Sequence, residues 1–290
     1  MDIENVVSER CKMLKRIITG AVYVAVVCAF FLLREFVDYR LFNLLTYIWM
    51  AVGTFEVARA VKPWAIDGNL FVATVFGIII APTYAVAEYF IGDNFGWMVV
   101  VVTVLVMIAI TGLLCITEKA GGKKFAVSIL PFVYPTLFML TMLLANDLGK
   151  NTGFIAMLLI YVIAPLSDTF AYFTGSLIGG KKLCPKLSPK KTWAGAIGGL
   201  IGGALGSIAV CLIFKDKIFM SFSRALLLFA FIGVIASILT ILGDLFESFI
   251  KRKAGIKDIG NLLPGHGGAM DRMDGATFAS VFIYLVFLMI

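Results

Sequence analysis

Charge is scarce in this chain of 290 residues. Asp, Glu, Lys and Arg together make up 15% of it, against about 25% in an ordinary soluble domain. Histidine is scarcer: His266 stands alone, so no multi-histidine metal centre can form. The five cysteines, Cys11, Cys28, Cys115, Cys184 and Cys211, are far apart and form no C-x-x-C pair. That spacing argues against a zinc site or a disulfide framework and leaves them as small apolar filler. No internal repeat is visible, which weighs against many transporter folds. What fills the chain is apolar: 61% of its residues, with a mean hydropathy of +0.99. A water-soluble globule of this size could not hide that much apolar surface, and disordered chains are polar and charged. The apolar runs are continuous rather than alternating, unlike the strands of a membrane barrel. The expected fold is all-α, a polytopic bundle of membrane-spanning helices.

A bilayer core takes about 20 apolar residues per helix. Runs without acidic or basic residues cover Ile17–Leu33, Leu41–Phe55, Gly68–Ala87, Phe95–Thr117, Ala126–Asn146, Asn151–Ser167 (continuing past Asp168 to Gly180), Thr192–Phe214, Ala225–Gly243 and Gly275–Ile290. The expectation is about nine transmembrane helices, with the second and ninth runs short. The first run is followed by Arg34-Glu35 and not by a small-residue cleavage site, so it reads as a retained helix and not a signal peptide. With the N-terminus inside and the C-terminus outside, Lys and Arg divide 19 inside to 6 outside, as the positive-inside rule requires. Spans one to five make an N-terminal part, residues 1–150. Spans six to nine make a C-terminal part, residues 151–290, which carries the chemistry-bearing loops. The seventh run holds Gly195, Gly198, Gly199, Gly202, Gly203 and Gly206, two interleaved small-residue series that suit close helix packing. Pro63, Pro82, Pro131, Pro135 and Pro165 are expected to break or kink other spans.

The net charge of +7 suits an anionic lipid, an anionic substrate or nucleic acid, and position decides among them. Three segments near the expected inner face concentrate polar residues. The first is Pro165–Gly175, where Asp168 lies 13 residues before Lys181, about 20 Å of helical rise. An acid at that depth faces a polar cavity or a partner. The second is Lys181–Trp193, with five lysines between two spans. Ser188, Lys190, Lys191 and Thr192 place two hydroxyls and two ammoniums just before a helix, whose N-terminus favours anions. The plain alternative is positive-inside charge on anionic lipid. The third runs from Gly243 to Asp274. Asp244, Glu247, Ser248 and Lys251 fall at i, i+3, i+4 and i+7 on one helix face. Asp271 and Asp274 form a second i, i+3 pair, and the glycines of Pro264–Gly268 lie between. Glycine amides approach anions. Carboxylates among basic residues are what Mg²⁺-dependent phosphoryl or nucleotidyl transfer needs. Salt bridges capping helices are the plain alternative here.

At these residues the sequence resembles the phosphatidate cytidylyltransferases, also called CDP-diacylglycerol synthases. The order Ser248, Lys251-Arg252, Lys257-Asp258, Gly260, Pro264-Gly265-His266-Gly267-Gly268, Asp271-Arg272 and Asp274 follows the family signature across 27 residues. The upstream segments Ser167–Phe173 and Ser188–Trp193 are also similar. The resemblance is sharp over residues 165–275 and elsewhere is limited to hydropathy and span count. Two positions depart from it: Ala194 stands where Glu or Gln is common, and Ala269 where a larger apolar residue is usual.

The resemblance implies that CTP and phosphatidate give CDP-diacylglycerol and diphosphate, through attack of the phosphatidate phosphate on the α-phosphorus of CTP. It implies Mg²⁺ held by Asp244 and Asp271, with a second, monovalent ion left open. Asp274, Asp168 and Glu247 are second choices. Ser188, Lys190, Lys191 and Thr192 would hold CTP phosphates. Lys251, Arg252, Lys257 and Arg272 would hold the phosphatidate phosphate or the leaving diphosphate, and His266 would bond a phosphate or shape the glycine loop. It also implies a homodimer in the plasma (inner) membrane with the active site facing the cytosol. No nucleic-acid partner is expected. Two rivals stand against this. A CDP-alcohol phosphotransferase would continue Asp67-Gly68 or Asp274-Gly275 with Ala-Arg at a set spacing, and neither does. An anion transporter or channel would place its polar groups near the bilayer midplane, whereas here they gather at one face.

Overall fold

The computed structural model describes residues 3–91, 95–218 and 220–290. Side chains of residues 3–12 and of Phe95 are outside that description, those of Arg10, Cys11 and Lys12 among them. Apart from one short hairpin, the loop of residues 255–269 and brief turns, the described chain is helical: α1 (Ile3–Phe36), α2 (Leu41–Val61), α3 (Asp67–Phe90), α4 (Phe95–Thr117), α5 (Gly122–Pro131), α6 (Phe138–Asn146), α7 (Lys150–Ile178), α8 (Trp193–Ile213), α9 (Phe222–Ala254) and α10 (Met270–Leu288). Among the described residues eight helical segments are long and apolar enough to cross a membrane. The ninth expected run lies in α10, whose first turns carry Asp271, Arg272 and Asp274. The protein is an all-α integral membrane bundle.

The chain divides into two compact units whose segments interleave along the sequence. The first holds Met1–Leu32, Leu44–Leu140 and Ala254–Arg272. Several polar groups inside its helices find partners, as a bilayer interior favours. Asn69 donates to Thr111 O at 3.0 Å, the Ile66 amide donates to Ser128 Oγ at 2.7 Å, and the Thr54 and Thr136 hydroxyls meet at 2.7 Å. Pro131 and Pro135 do what their spacing predicts. They end α5 and open a six-residue wide turn in which Tyr134 is extended, at φ −122° and ψ 114°, before α6 resumes. Helices α3 and α7 instead run through Pro82 and Pro165.

The second unit holds Leu33–Asn43, Thr141–Lys253 and Met273–Ile290. The glycine series of α8 is its main seam. A Cβ at Gly198 would strike Thr174, at Gly202 Phe170 and at Gly206 Leu166, all on α7. Gly203 turns the other way, against Gly233 and Ser237 of α9. Small residues therefore let three helices approach closely. Arg34, 2% exposed, donates to Asn146 Oδ1 at 2.6 Å and to the carbonyls of Asn146, Gly149 and Lys150. It satisfies carbonyls left over where α6 ends and α7 begins.

The basic segment Lys181–Trp193 is more ordered than the loop expected there. Gly179 and Gly180, at φ +66° and +92°, end α7. Strand β1 (Lys182–Cys184) then pairs antiparallel with β2 (Ser188–Thr192). The turn closes with the Leu187 amide on Cys184 O at 3.2 Å, and Pro185 takes the position where its fixed φ suits a turn.

Candidate functional site

Two groups of polar side chains form, one in each unit. In the second unit a cavity of about 500 Å³ lies between α7, the hairpin and the start of α8. Asp168, Ala171 and Gly175, one face of α7, form one wall. Lys182, Lys190, Lys191 and Thr192 form the other. The hairpin is what returns lysines far along the chain to Asp168, so the acid read as deep in a span faces a cavity that those lysines share with apolar side chains. Lys182 belongs to this set, although spacing alone does not distinguish it from its neighbours. Ser188 opens β2 half-buried and is not on the cavity wall. Thr192 is 4% exposed and its hydroxyl accepts from the Gly195 amide at 3.0 Å. It is the N-cap of α8, so its side chain is already engaged where a phosphate contact was expected.

Lys191 leaves the cavity wall to pair with Asp244 on α9, whose other oxygen lies 3.4 Å from Ser248 Oγ. The helix face read from the i, i+3, i+4, i+7 spacing is present. Glu247, fully buried, meets Lys251 at 3.4 Å one turn on, and Asp274 lies beside Glu247. Arg252 is exposed and its Nε donates to Leu187 O at 3.4 Å, tying α9 to the hairpin turn.

In the first unit the glycine loop follows α9 and leads into α10. Asp271, 9% exposed, turns back into it: Oδ2 accepts from the amides of Gly268 at 2.7 Å, Ile259 at 3.0 Å and Gly260 at 3.3 Å. Glu56 of α2, 5% exposed, accepts from the amides of Ala269 and Met270, each at 3.1 Å. A Cβ at Gly260 or Gly268 would collide with the Glu56 carboxylate. Gly265 and Gly267 adopt φ +80° and +86°, backbone that side chains resist. The glycines are there for close approach, as expected. The anion they approach is the protein's own carboxylates, which corrects the reading that their amides wait for a phosphate. Asp271 and Asp274 both sit in the first turns of α10, as their i, i+3 spacing predicts, and there Asp271 serves the loop while Asp274 lies beside Glu247.

Beside the loop, the Arg16 stem lies against Gly265, and the Thr19 hydroxyl donates to Pro264 O at 3.0 Å. Partial burial, then the guanidiniums of Arg272 and Arg16, hold the His266 imidazole below its ordinary pKa. Arg272, Lys257 and Asp258 are exposed. Sequence reasoning misses Glu56 except as the charge that interrupts the second run. Its being a lone acid in an apolar span is the available signal.

Comparison with known proteins gives the chain a family. The model of a family described as the cytidylyltransferase family matches residues 14–290. A phosphatidate cytidylyltransferase from Brucella abortus is 33% identical over 205 residues, covering 66% of this chain and 72% of that protein. One from Rickettsia conorii is 30% identical over 226 residues, covering 75% and 91%. One from Thermotoga maritima is 33% identical over 189 residues, covering 63% and 68%.

Proposed function

The chain belongs to the cytidylyltransferase family, and from that premise we propose that it moves CMP from CTP to phosphatidate, giving CDP-diacylglycerol and diphosphate. The observation that carries this reading is the cavity beside the hairpin, where Lys182, Lys190 and Lys191 line a space of about 500 Å³ next to apolar Ala171, Leu183 and Ile241. That volume lies in the ordinary range of small-molecule sites, about 300–1,000 Å³. Its ammoniums suit a nucleoside triphosphate.

In this reaction a phosphate oxygen of phosphatidate forms a bond to the α-phosphorus of CTP. The bond from that phosphorus to the bridging oxygen breaks, and diphosphate leaves with the electron pair. A phosphate monoester is largely ionised near neutral pH, so no strong protein base is required. The protein's work is placement and charge. Lys190 and Lys191 hold CTP phosphates, and Lys191 exchanges its Asp244 partner for them. Lys251, Arg252, Lys257 and Arg272 serve the lipid phosphate or the departing diphosphate. Ser188 and Thr192 shape the hairpin and the start of α8.

Mg²⁺ is part of this proposal, with Asp244 and Asp271 as the residues that would hold it and Asp274 and Glu247 next. Among the described residues no group of three or more His, Cys, Asp or Glu side chains is placed to hold a metal ion. Mg²⁺ needs only one or two carboxylates, with water and phosphate oxygens completing its shell, and the all-oxygen donors here fit a hard cation. Asp244 already holds a positive charge in the Lys191 ammonium. Bound Mg²⁺ would neutralise charge between the nucleotide phosphates. We also place the N-terminus and the cavity on the cytosolic side of the plasma membrane, where CTP is, and expect a homodimer. A second, monovalent ion belongs to the same proposal.

The test is an assay of purified protein with labelled CTP and phosphatidate. Label should move to the lipid fraction as CDP-diacylglycerol only with a divalent cation present, and chelation should stop it. Anion uptake into vesicles with no lipid product would replace this reading by transport.

A further inference from the structure

In the first unit, one face of α2 clasps the loop that carries Asp271. Gly53, Glu56 and Arg59 are spaced i, i+3, i+6. Gly53 receives Met270, since a Cβ there would lie 2.8 Å from its sulfur. Glu56 takes the Ala269 and Met270 amides, and Arg59 donates to Ile259 O at 3.4 Å. Ala269 and Met270 are fully buried, as is Ile259 to within 1%. The first amides of a helix have no partner inside it, and α10 begins at Met270. A carboxylate reaching two amides at that end meets both the hydrogen-bonding need and the positive end of the helix dipole. Asp271 and Arg272 follow directly, and the Asp271 carboxylate holds the Gly268 amide one residue before the pair held by Glu56.

We propose that Glu56 is a positioning residue for cytidylyl transfer: it anchors the first turn of α10 and so fixes the direction in which Asp271 and Arg272 leave the loop. The inference rests on the reaction assigned above. Glu56 touches neither the hairpin cavity nor, in this assignment, either substrate. Its effect is therefore on turnover, while CTP affinity, set by the lysines of the other unit, stays the same. Glycine at 260 and 268 is part of the device, because any side chain there displaces the carboxylate.

Glu56→Gln keeps the shape but presents an NH₂ group to one of two amide donors and removes the charge. Two readings are taken on the purified variant in lipid nanodiscs. The first is hydrogen–deuterium exchange of the peptide over residues 257–272, expected to speed up about tenfold while other peptides hold. The second is steady-state kinetics, expected to show kcat down about tenfold or more, since small misplacements of reacting groups are costly. The KM for CTP should stay within about twofold. Faster exchange with unchanged kcat makes Glu56 a structural cap only and overturns the proposal. Loss of kcat with unchanged exchange overturns it as well, because the route through the loop is then absent. If Glu56→Gln does not yield folded protein, Glu56→Asp, which keeps the charge one methylene short of the amides, takes its place. The same two readings then support or overturn the proposal in the same way. A wild-type chain that makes no CDP-diacylglycerol removes the reaction itself, while the exchange result still reports whether Glu56 holds the amides.

Discussion

The two polar regions handle negative charge in opposite ways. In the glycine loop the anions are built in: the carboxylates of Asp271 and Glu56 take the amides of Ile259, Gly260, Gly268, Ala269 and Met270. At the hairpin the cations are built in, and Lys182, Lys190 and Lys191 line an open space. A loop that turns five of its amides onto the protein's own carboxylates serves as a mount. A wall of ammoniums around a cavity is a place for a ligand. The glycine-rich signature therefore falls on the mount, while the plainer Ser-Pro-Lys-Lys-Thr segment falls on the cavity wall, where the proposed reaction would put the triphosphate.

The sharpest way to break this contrast is to change the carboxylate of the mount. Asp271→Asn should lower turnover about a hundredfold or more. It should also lower stability by about 1–3 kcal/mol, because buried amide donors lose an ionised acceptor. Turnover and the thermal midpoint in detergent check both halves. Asp244, on α9 and partly exposed, should lose turnover to the same degree as Asp244→Asn with its midpoint nearly unchanged, since the Lys191 ammonium it leaves can reach water. Wild-type-like turnover in both variants would remove them as metal ligands.

Next in size is Lys191→Met. A charge-assisted bond to phosphate is worth about 1.5–3 kcal/mol, so the KM for CTP should rise about tenfold or more. The KM for phosphatidate should change less. Equal changes in both constants would show that the hairpin does not distinguish the substrates. Asp258→Asn should fall within about twofold of wild type in turnover, as expected for an exposed side chain away from such features. It lies one residue from the buried Ile259 whose amide Asp271 holds, so it separates the loop's exposed edge from its anchored core.

The legible parts of this molecule are those with a local period. The i, i+3, i+4, i+7 set on α9 and the glycine series of α8 announce their faces because helix geometry fixes which neighbours meet. The hairpin is not legible: two prolines and five lysines in Lys181–Trp193 read as loop, and the strands exist because β1 and β2 satisfy each other's backbone. The second apolar run ends at Phe55 because Glu56 follows, yet α2 continues to Val61. Its acid is tolerated because two amides more than two hundred residues away satisfy it, and no local pattern carries that information. The same holds for Arg34, which reads as an outer-loop charge and is buried among the carbonyls between α6 and α7. Residues whose partners are distant in sequence hide their role, and in this chain those are the charges that hold the mount and the helix ends.

The smallest effect tests whether the mount tolerates added positive charge. His266 sits among Arg16 of α1 and Arg272 of α10, and its pKa lies below the ordinary 6.5. Burial contributes most, with the two guanidiniums adding to it. In the unfolded chain the imidazole takes up a proton as pH falls through about 6.5, while in the folded chain it resists until lower pH. Over that window the unfolded state binds more protons, so acidification lowers stability. The contribution is complete above the unfolded value and is lost as pH falls toward the folded one. The His266→Gln variant lacks this group, so its thermal midpoint should fall less than that of the wild type between pH values of about 7 and 5. Parallel curves would mean that the guanidiniums are too far or too well screened to act on the ring. A steeper fall in the variant would mean that protonated His266 is stabilised by the carboxylates of the loop, which would make the mount an acceptor of positive charge.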